Sequence, residues 1–465
     1  MAKLLLLPTN NLVRPYRLGG QQVQRAFRPS WRTSRPPAGG CYRRQSTSST
    51  AAGNGLPLSG LRILDLSRVL AGPFCTQLLA DYGATVLKVE QPGVGDETRQ
   101  WRTAGEAQMW KDAYPLMSLY YCAVNRNKRS LTLNLKSAKG VEVVRKLVRD
   151  SDVVVNNFLP GKMEQMGLGY EACAALNPRI IYASVSGYGA AGPGRDRAGY
   201  DAIALAEAGL LSITGEADGP PTKPGVAIAD MCTGLYTHGA ILAAVNARRE
   251  TGRGVKIDGS LFESSLSLLI NVGLASLNLD LDKGRRRGKR FGLGHPNLVP
   301  YGGFETGDGR LLFIAANNNR QWEGLCKRMG VAGLGADERF MTNDGRVESR
   351  EEINEALGRR FKELPLREWM DVFEGSGLPY GAVNDVVEAL EHPQADARKM
   401  TFEVEDFEAA RDGVLRMIGP AMKFEGLDMS MRQKPPLLGQ HTDEVLGELG
   451  YGREEIDHMR NEGVV

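Results

Sequence analysis

The fold is decided by the stretch RILDLSRVLAGPFCTQLLADYGATVLKVE, residues 62–90. A short apolar run, Ile63–Leu66, precedes a segment of helical spacing, Phe74–Tyr82, which Gly83 ends. A second apolar run, Thr85–Val89, then predicts another strand. Because a single helix joins the two strands, this pattern predicts a crossover unit with parallel strands.

The same alternation of strands and helices continues along the first half of the chain. Further strands are predicted at Ser130–Leu135, Val153–Val155 and Ile180–Val185, with an amphipathic helix at Gly140–Arg149. We therefore expect residues 61–280 to form a large doubly wound α/β domain with a parallel, Rossmann-like sheet. In such domains, ligands bind at the carboxyl ends of the strands.

The pattern changes beyond residue 280. We expect residues 285–395 to form a smaller mixed α/β domain and residues 400–465 to return to the large domain. Two long helices are predicted before the change, from Leu235 to near Gly252 and over Gly259–Ala275. The later elements are predicted as a strand at Leu311–Ala315 and helices at Trp322–Met329, Arg350–Phe361, Leu366–Phe373 and Glu444–Leu449.

The first fifty residues have the composition of a mitochondrial transit peptide. They contain one lysine, eight arginines and no acidic residue, and residues 51–60 read as a flexible leader into the domain. The prediction is a location in the mitochondrial matrix; a secretory signal and an untargeted basic tail are the alternatives. This charge of +9, against +3 for the whole chain, leaves −6 on the remainder, which argues against a nucleic-acid partner. No later segment is expected to span a membrane, so no membrane partner is predicted.

Cysteine and histidine spacings indicate neither disulfides nor a metal site. The six cysteines lack any CxxC pair, and the five histidines form no HExxH pattern. We therefore predict free thiols, a reducing compartment and no bound metal.

Two carboxylates stand out in the middle of the chain. Asp201 follows Gly199-Tyr200, and Asp230 lies between the apolar run 226–229 and a helix-like run. An aspartate at a helix N-terminus is favoured in its ionised form, so the pKa of Asp230 is expected to be lowered. The alternative is that Asp230 is an ordinary N-cap.

Several short motifs follow one another in a fixed order along the chain. They are Leu64–Pro73, Asn125–Ser130, Leu133–Lys136, Asn157–Gly161, Ala198–Asp201, Asp230–Gly234 and Pro436–Thr442. In this order they resemble the motifs of the class III CoA-transferases. The similarity covers nearly everything after residue 57, and its motifs are specific in combination rather than singly.

This resemblance implies site residues and an assembly. Asp230 would be the nucleophile, and backbone amides at Gly292 and Gly294 would stabilise the oxyanion. The implied CoA-binding residues are Val69, Leu70, Leu133, Asn134, Leu135, Lys136, Asn157, Phe158, Leu159, Ala198, Gly199, Tyr200 and Asp201. No permanently bound cofactor is implied, because the CoA thioester is a substrate. Family members are homodimers of two interlocked rings.

The expected reaction moves CoA from an acyl-CoA to a free carboxylic acid. With a mitochondrial address, succinyl-CoA is the expected donor and glutarate or another dicarboxylate the expected acceptor. Arg68 and Arg290 are candidates for binding the second carboxylate, and an ion-pair role for Arg68 is equally open. The rival activity is that of the α-methylacyl-CoA racemases, whose partner base is a histidine where this chain has Tyr200. A non-catalytic acyl-CoA-binding protein is a further alternative, against which the retained Asp230 counts.

Overall fold

The computed structural model describes residues 55–279 and 289–465. Its centre is a six-stranded parallel sheet with the strand order β3-β2-β1-β4-β5-β6. The strands are β1 Arg62–Asp65, β2 Thr85–Glu90, β3 Lys128–Thr132, β4 Val153–Asn156, β5 Ile181–Ser186 and β6 Lys256–Ser260. The predicted doubly wound α/β architecture is therefore confirmed. The predicted transit peptide, residues 1–50, and the first four residues of the predicted leader, 51–54, lie outside the described part.

Apolar runs account for the five strands that were predicted. The side chains of Val153–Val155 are fully buried because helices cover both faces of the sheet. Strand β6, at the sheet edge, was missed, since its sequence KIDGS is only partly buried. The predicted helix over Gly259–Ala275 is accordingly wrong at its start: the strand runs to Ser260, whose side chain then caps the next helix.

Nine α-helices accompany this sheet in the described residues. One layer contains the first and seventh, which approach so closely that a Cβ on Gly234 would lie 2.8 Å from the carbonyl oxygen of Ala71. The helices are α1 Ala71–Asp81, α2 Leu119–Ala123, α3 Ala138–Asp150, α4 Lys162–Gln165, α5 Tyr170–Leu176, α6 Asp201–Glu207, α7 Ile228–Thr251, α8 Leu261–Ser267 and α9 Ile270–Asn278. Short 3₁₀ helices lie at Glu97–Gln100, Glu106–Gln108 and Leu211–Ile213.

Helix α7 differs from its prediction in two respects. It begins at Ile228, seven positions before the predicted start at Leu235, so Asp230 lies inside its first turn rather than before it. By length and composition α7 is also apolar enough to cross a membrane, as is the bent pair α8 and α9 taken together, although core helices pass the same test. The expectation that no later segment spans a membrane therefore stays a prediction.

A second, antiparallel sheet lies in the later part of the chain. It has the order β7-β8-β9 and packs on helices around an aromatic core in which the rings of Phe304 and Phe361 stack at 4.9 Å. Its elements are β7 Tyr301–Glu305, β8 Leu311–Ala315, α10 Asn319–Met329, α11 Ala332–Ala336, the 3₁₀ helix Glu338–Phe340, α12 Asn343–Glu348, α13 Arg350–Phe361, α14 Leu366–Phe373, β9 Tyr380–Ala382, α15 Val386–Leu390 and α16 Pro393–Ala397. The bounds predicted for β8, α13 and α14 are confirmed.

The last segment packs against the large sheet. A hairpin of β10, Thr401–Val404, and β11, Leu415–Ile418, is followed by helices α17, Thr442–Glu448, and α18, Arg453–Asn461. The N–H of Thr132 on β3 donates to the Thr442 hydroxyl at 3.1 Å, and α18 contributes to the core beside α3. The division at residues 285–395 and 400–465 stays a prediction.

Candidate active site

Two of the predicted CoA-binding segments meet where the direction of winding changes, between β1 and β4. The loop after β1 carries Arg68, Val69 and Leu70, and the loop after β4 carries Asn157–Leu159. The amide of Asn157 accepts from the Arg68 N–H at 2.9 Å and donates to the Arg68 carbonyl at 2.6 Å. The sheet thus forms a crevice at its carboxyl edge, where ligands of doubly wound folds bind.

A third predicted segment, Leu133–Lys136, follows β3 at the same edge of the sheet. The side chain of Leu133 is buried, while Lys136 lies at the surface. Asn134 accepts from the Lys136 N–H at 3.0 Å and donates to the carbonyl of Gly463 at 3.2 Å. This segment is therefore fixed in shape, but strand β2 lies between β3 and β1 and separates it from the loop after β1.

The fourth segment, Ala198–Asp201, is brought to the predicted nucleophile. Asp201 begins α6, and its Oδ1 accepts from the N–H groups of Ala229 at 2.7 Å and Asp230 at 3.2 Å. The buried carboxylate of Asp201 thus caps α7 from outside the helix, satisfying two N–H groups of the first turn. The side chain of Tyr200 points outward and is 64 % exposed.

The environment of Asp230 raises its pKa rather than lowering it. Burial raises the pKa to about 7, and the nearby charge of Asp201 contributes in the same direction. The expectation of a lowered pKa from the helix N-terminus was therefore wrong, because desolvation and a like charge outweigh the helix dipole. Asp230 titrates near neutral pH, which is a property of functional carboxylates.

A tyrosine that the sequence analysis missed shares this environment. Burial and then the charge of Asp230 raise the pKa of Tyr120, with smaller contributions from Asp201 and Asp96. Its ring packs edge-on against Trp101 at 5.5 Å. Its phenol therefore stays protonated and remains a hydrogen-bond donor. Nothing local in the sequence marks Tyr120, since 110 positions separate it from Asp230.

The thiol of Cys232, two positions after the predicted nucleophile, has no sign of activation. Burial, and secondarily the charge of Asp201, raises the pKa of Cys232. Cys232 and the four other cysteines in the described ranges are free thiols. Within those ranges, no group of three or more His, Cys, Asp and Glu is placed to hold a metal ion.

The predicted oxyanion donors are engaged elsewhere in this structure. The N–H of Gly292 donates to the carbonyl of Gly215 at 3.1 Å, and the N–H of Gly294 donates to the carbonyl of Phe291 at 2.7 Å. Gly292 has a φ of +56°, a conformation that suits glycine. Both amides would have to exchange these bonds before stabilising an oxyanion.

The two arginines proposed for a substrate carboxylate also have protein partners. Arg68 pairs with Glu97 at 2.6 Å and lies 5.5 Å from the ring centre of Phe158. Arg290 donates to three backbone carbonyls of the segment 212–219. Arg68 is half exposed beside the crevice and can exchange its partner, whereas Arg290 serves to hold a loop.

A cavity of about 110 Å³ adjoins the loop after β4. Phe158, Leu159 and Gly161 line one side, and polar groups that include Ser184 and Lys256 line the other. This cavity can hold only part of a large ligand.

Comparison with known proteins adds a family to this geometry. The model of CoA-transferase family III matches residues 58–442. The chain is 50 % identical over 421 residues to an acyl-CoA transferase of Fusarium pseudograminearum, covering 90 % of each chain. It is 42 % identical over 410 residues to the succinyl-CoA:glutarate CoA-transferase of Homo sapiens, covering 88 % of this chain and 90 % of that one. The crystal structure of a CaiB/BaiF family protein from Brucella suis superposes with a TM-score of 0.73 and 36 % identity, over 85 % of this chain and 99 % of that chain.

Proposed function

The chain belongs to CoA-transferase family III, and we propose that this CoA-transferase moves CoA from succinyl-CoA to glutarate or another dicarboxylic acid through intermediates bound to Asp230. Acyl-CoA thioesters and carboxylic acids are the substrates of the family. The choice of succinyl-CoA and glutarate draws on the human relative, whose name states that pair. The observation that carries the role of Asp230 is its position in the first turn of α7 beside the Asp201 cap.

In the proposed reaction, a carboxylate oxygen of Asp230 attacks the thioester carbonyl of succinyl-CoA. The C–S bond breaks, the CoA thiolate leaves, and a mixed succinyl–aspartyl anhydride forms. The thiolate then attacks the aspartyl carbonyl, which releases succinate and leaves an aspartyl-CoA thioester. The acceptor acid repeats these two steps in reverse, so that the Asp230 carboxylate is regenerated with no net change in protons.

The surroundings of Asp230 favour this role. With a pKa of about 7, a large fraction of Asp230 is ionised at neutral pH, as a nucleophile must be. Tyr120, whose raised pKa reflects the charge of Asp230 after burial, is the proposed protonated donor to a substrate carboxylate or a developing oxyanion. Val69, Leu70 and the loop at Asn157–Leu159 would contact CoA in the crevice.

The test is to trap CoA on the enzyme. After incubation with succinyl-CoA, the peptide that contains Asp230 should gain the mass of CoA less one water. Asp230→Ala should lose both this adduct and transfer, while it still binds CoA; Asp371→Ala, an exposed aspartate of α14, should keep both. Normal turnover by Asp230→Ala would exclude the covalent mechanism.

We further propose that the enzyme is a homodimer of interlocked chains. Helix α9 exposes a row of large apolar side chains, with Ile270, Leu274 and Leu277 all more than half exposed. Helix α7 exposes Leu235 and Tyr236 in the same way. An interlocked dimer cannot separate on dilution, so a folded, active monomer in sedimentation at nanomolar concentration would contradict it.

We also propose a location in the mitochondrial matrix, which supplies succinyl-CoA. The support is the arginine-rich, acid-free composition of residues 1–50.

A further inference from the structure

The loop after β1 contains a backbone conformation that its sequence does not favour. Val69 has a φ of +69°, in the left-handed region. A β-branched side chain rarely occupies this region, and such a conformation persists only where the surrounding structure enforces it. The structure must therefore supply contacts that hold Val69.

The principal contact comes from a buried carboxylate. Both oxygens of Asp96 accept from the Val69 N–H, at 3.1 and 3.2 Å, and the side chain of Asp96 is fully buried. The Thr98 N–H and hydroxyl also donate to Asp96, at 3.0 and 2.8 Å. With these bonds, the carboxylate has a single orientation, directed at the main chain of the loop.

A buried lysine links the same carboxylate to a second point of the loop. The Lys88 ammonium group lies 2.9 Å from Asp96 Oδ2 and donates to the carbonyl of Ser67 at 2.8 Å. The pair of Lys88 and Asp96 therefore holds the main chain on both sides of Arg68. From the opposite side, Asn157 binds the N–H and carbonyl of Arg68 itself.

We propose that Asp96 is a positioning residue for the CoA substrate, holding Val69 in the left-handed conformation that shapes the loop against which CoA binds. The inference rests on the proposed function, which places CoA at Val69 and Leu70. Asp96 does not itself contact CoA, because it is buried behind the loop. The loop is consequently formed before the substrate arrives, and binding does not have to order it.

A role in stability alone is the competing explanation, and the chain offers a matched control for it. Asp81 is equally buried and accepts from Arg126 at 2.6 and 2.9 Å, but in the described part of the chain it makes no hydrogen bond to residues 66–70. Replacing either aspartate by asparagine removes the negative charge from a buried ion pair. Both variants should therefore melt at lower temperature, and only the Asp96 variant should affect CoA.

The experiment compares Asp96→Asn, Val69→Gly, the double variant and Asp81→Asn with the wild type. Asp96→Asn should raise the KM for succinyl-CoA and the Kd of free CoA by about tenfold to a hundredfold, with kcat changed by less than about threefold. Asp81→Asn should change neither constant beyond about threefold. Since glycine adopts a positive φ without strain, Asp96→Asn in the Val69→Gly background should raise KM by less than about threefold.

Two results would overturn the inference. One is an unchanged KM in folded Asp96→Asn, and the other is an equal penalty in the valine and glycine backgrounds. If Asp96→Asn does not fold, the test is amide hydrogen exchange of residues 66–70 in the wild type, with and without CoA. CoA should change the exchange rate little. If CoA slows exchange more than about tenfold, the loop is not formed before binding and the inference is wrong. If the wild type transfers CoA and Asp96→Asn has an unchanged KM, the role of Asp96 is wrong but the proposed function stands. If the wild type does not bind CoA, both the role of Asp96 and the proposed function are wrong.

Discussion

The carboxylate of Asp201 accepts a hydrogen bond from the main-chain N–H of Asp230 at 3.2 Å, across 29 positions of sequence. The same oxygen accepts from the Ala229 N–H at 2.7 Å. Asp201 therefore acts on Asp230 in two ways: its hydrogen bonds fix the first turn of α7, and its charge raises the pKa of the neighbouring carboxyl group.

Asp201→Asn separates these two effects. Asparagine caps helices about as well as aspartate, but it carries no charge. Removing the charge lowers the pKa of Asp230 from about 7, so the fall of kcat/KM at acid pH should move to lower pH. The measurement is the pH profile of kcat/KM from pH 5.5 to 8.5, with Asp218→Asn, an exposed aspartate, as the control. A profile identical to that of the wild type would show that the charge of Asp201 does not reach Asp230.

Asp230→Asn should stabilise the protein in a pH-dependent way. Because the pKa of Asp230 rises from 3.8 to about 7 on folding, the folded state loses stability relative to a neutral side chain as pH rises through this window. The free energy of unfolding of the variant should therefore exceed that of the wild type by about 1–4 kcal/mol at pH 8, and by less at pH 5. Denaturant unfolding at both pH values measures this, and an advantage that is larger at pH 5 would contradict the raised pKa.

Tyr120→Phe should impair turnover while leaving the fold intact. The variant removes the phenol that we propose as a donor to the reacting groups, and loss of such a donor typically lowers kcat by about 10²–10³-fold. The melting temperature should change little, since the ring still packs on Trp101. Steady-state kinetics should show this loss for Tyr120→Phe and none for Tyr170→Phe, which removes a phenol on α5. Equal rates for both variants would remove Tyr120 from the site.

Racemisation should be absent. The racemases of this fold pair an aspartate with a histidine base, and this chain has Tyr200 at that position; a phenol is a poor general base at neutral pH. A 2-methylacyl-CoA incubated with the enzyme in deuterated water should therefore keep its α-proton, as followed by NMR. Exchange at the rate of an enzymatic turnover would restore the racemase as the better interpretation.

Removal of residues 1–50 should change location but not activity. The chain without this segment should transfer CoA at the wild-type rate and remain in the cytosol, whereas the full chain should enter mitochondria. Cell fractionation and imaging of tagged proteins measure this. Import of the shortened chain, or cytosolic retention of the full one, would contradict the targeting prediction.

The sequence predicted those elements whose signal is local. Val153–Val155 and Leu311–Ala315 are apolar runs that are buried as strands, and the spacing within Arg350–Phe361 set both ends of that helix. The start of α7 was missed because Ala227 carries no capping side chain and the cap comes from Asp201. Strand β6 was missed because its composition does not favour a strand; it is extended because it pairs with β5.

For the candidate site, too, the sequence predicted only features with a local signal. Motifs identified the loops at Arg68–Leu70 and Asn157–Leu159, and the structure joins them. The raised pKa values of Asp230 and Tyr120 depend on burial and on charges that are distant in sequence, so no local pattern contains them. The hydrogen bonds of Gly292 and Gly294 are likewise products of tertiary structure.

The side-chain amide of Asn157 binds the main chain of Arg68, not its side chain. Position 68 therefore tolerates substitution, whereas position 157 does not. Every residue except proline offers the same N–H and carbonyl at position 68, so exchanges there cost only the exposed pair with Glu97, about 0–1 kcal/mol. At position 157 aspartate lacks the donor, and glutamine is one carbon too long. Substitutions at position 68 can therefore alter the charge and shape at the mouth of the crevice without changing its architecture.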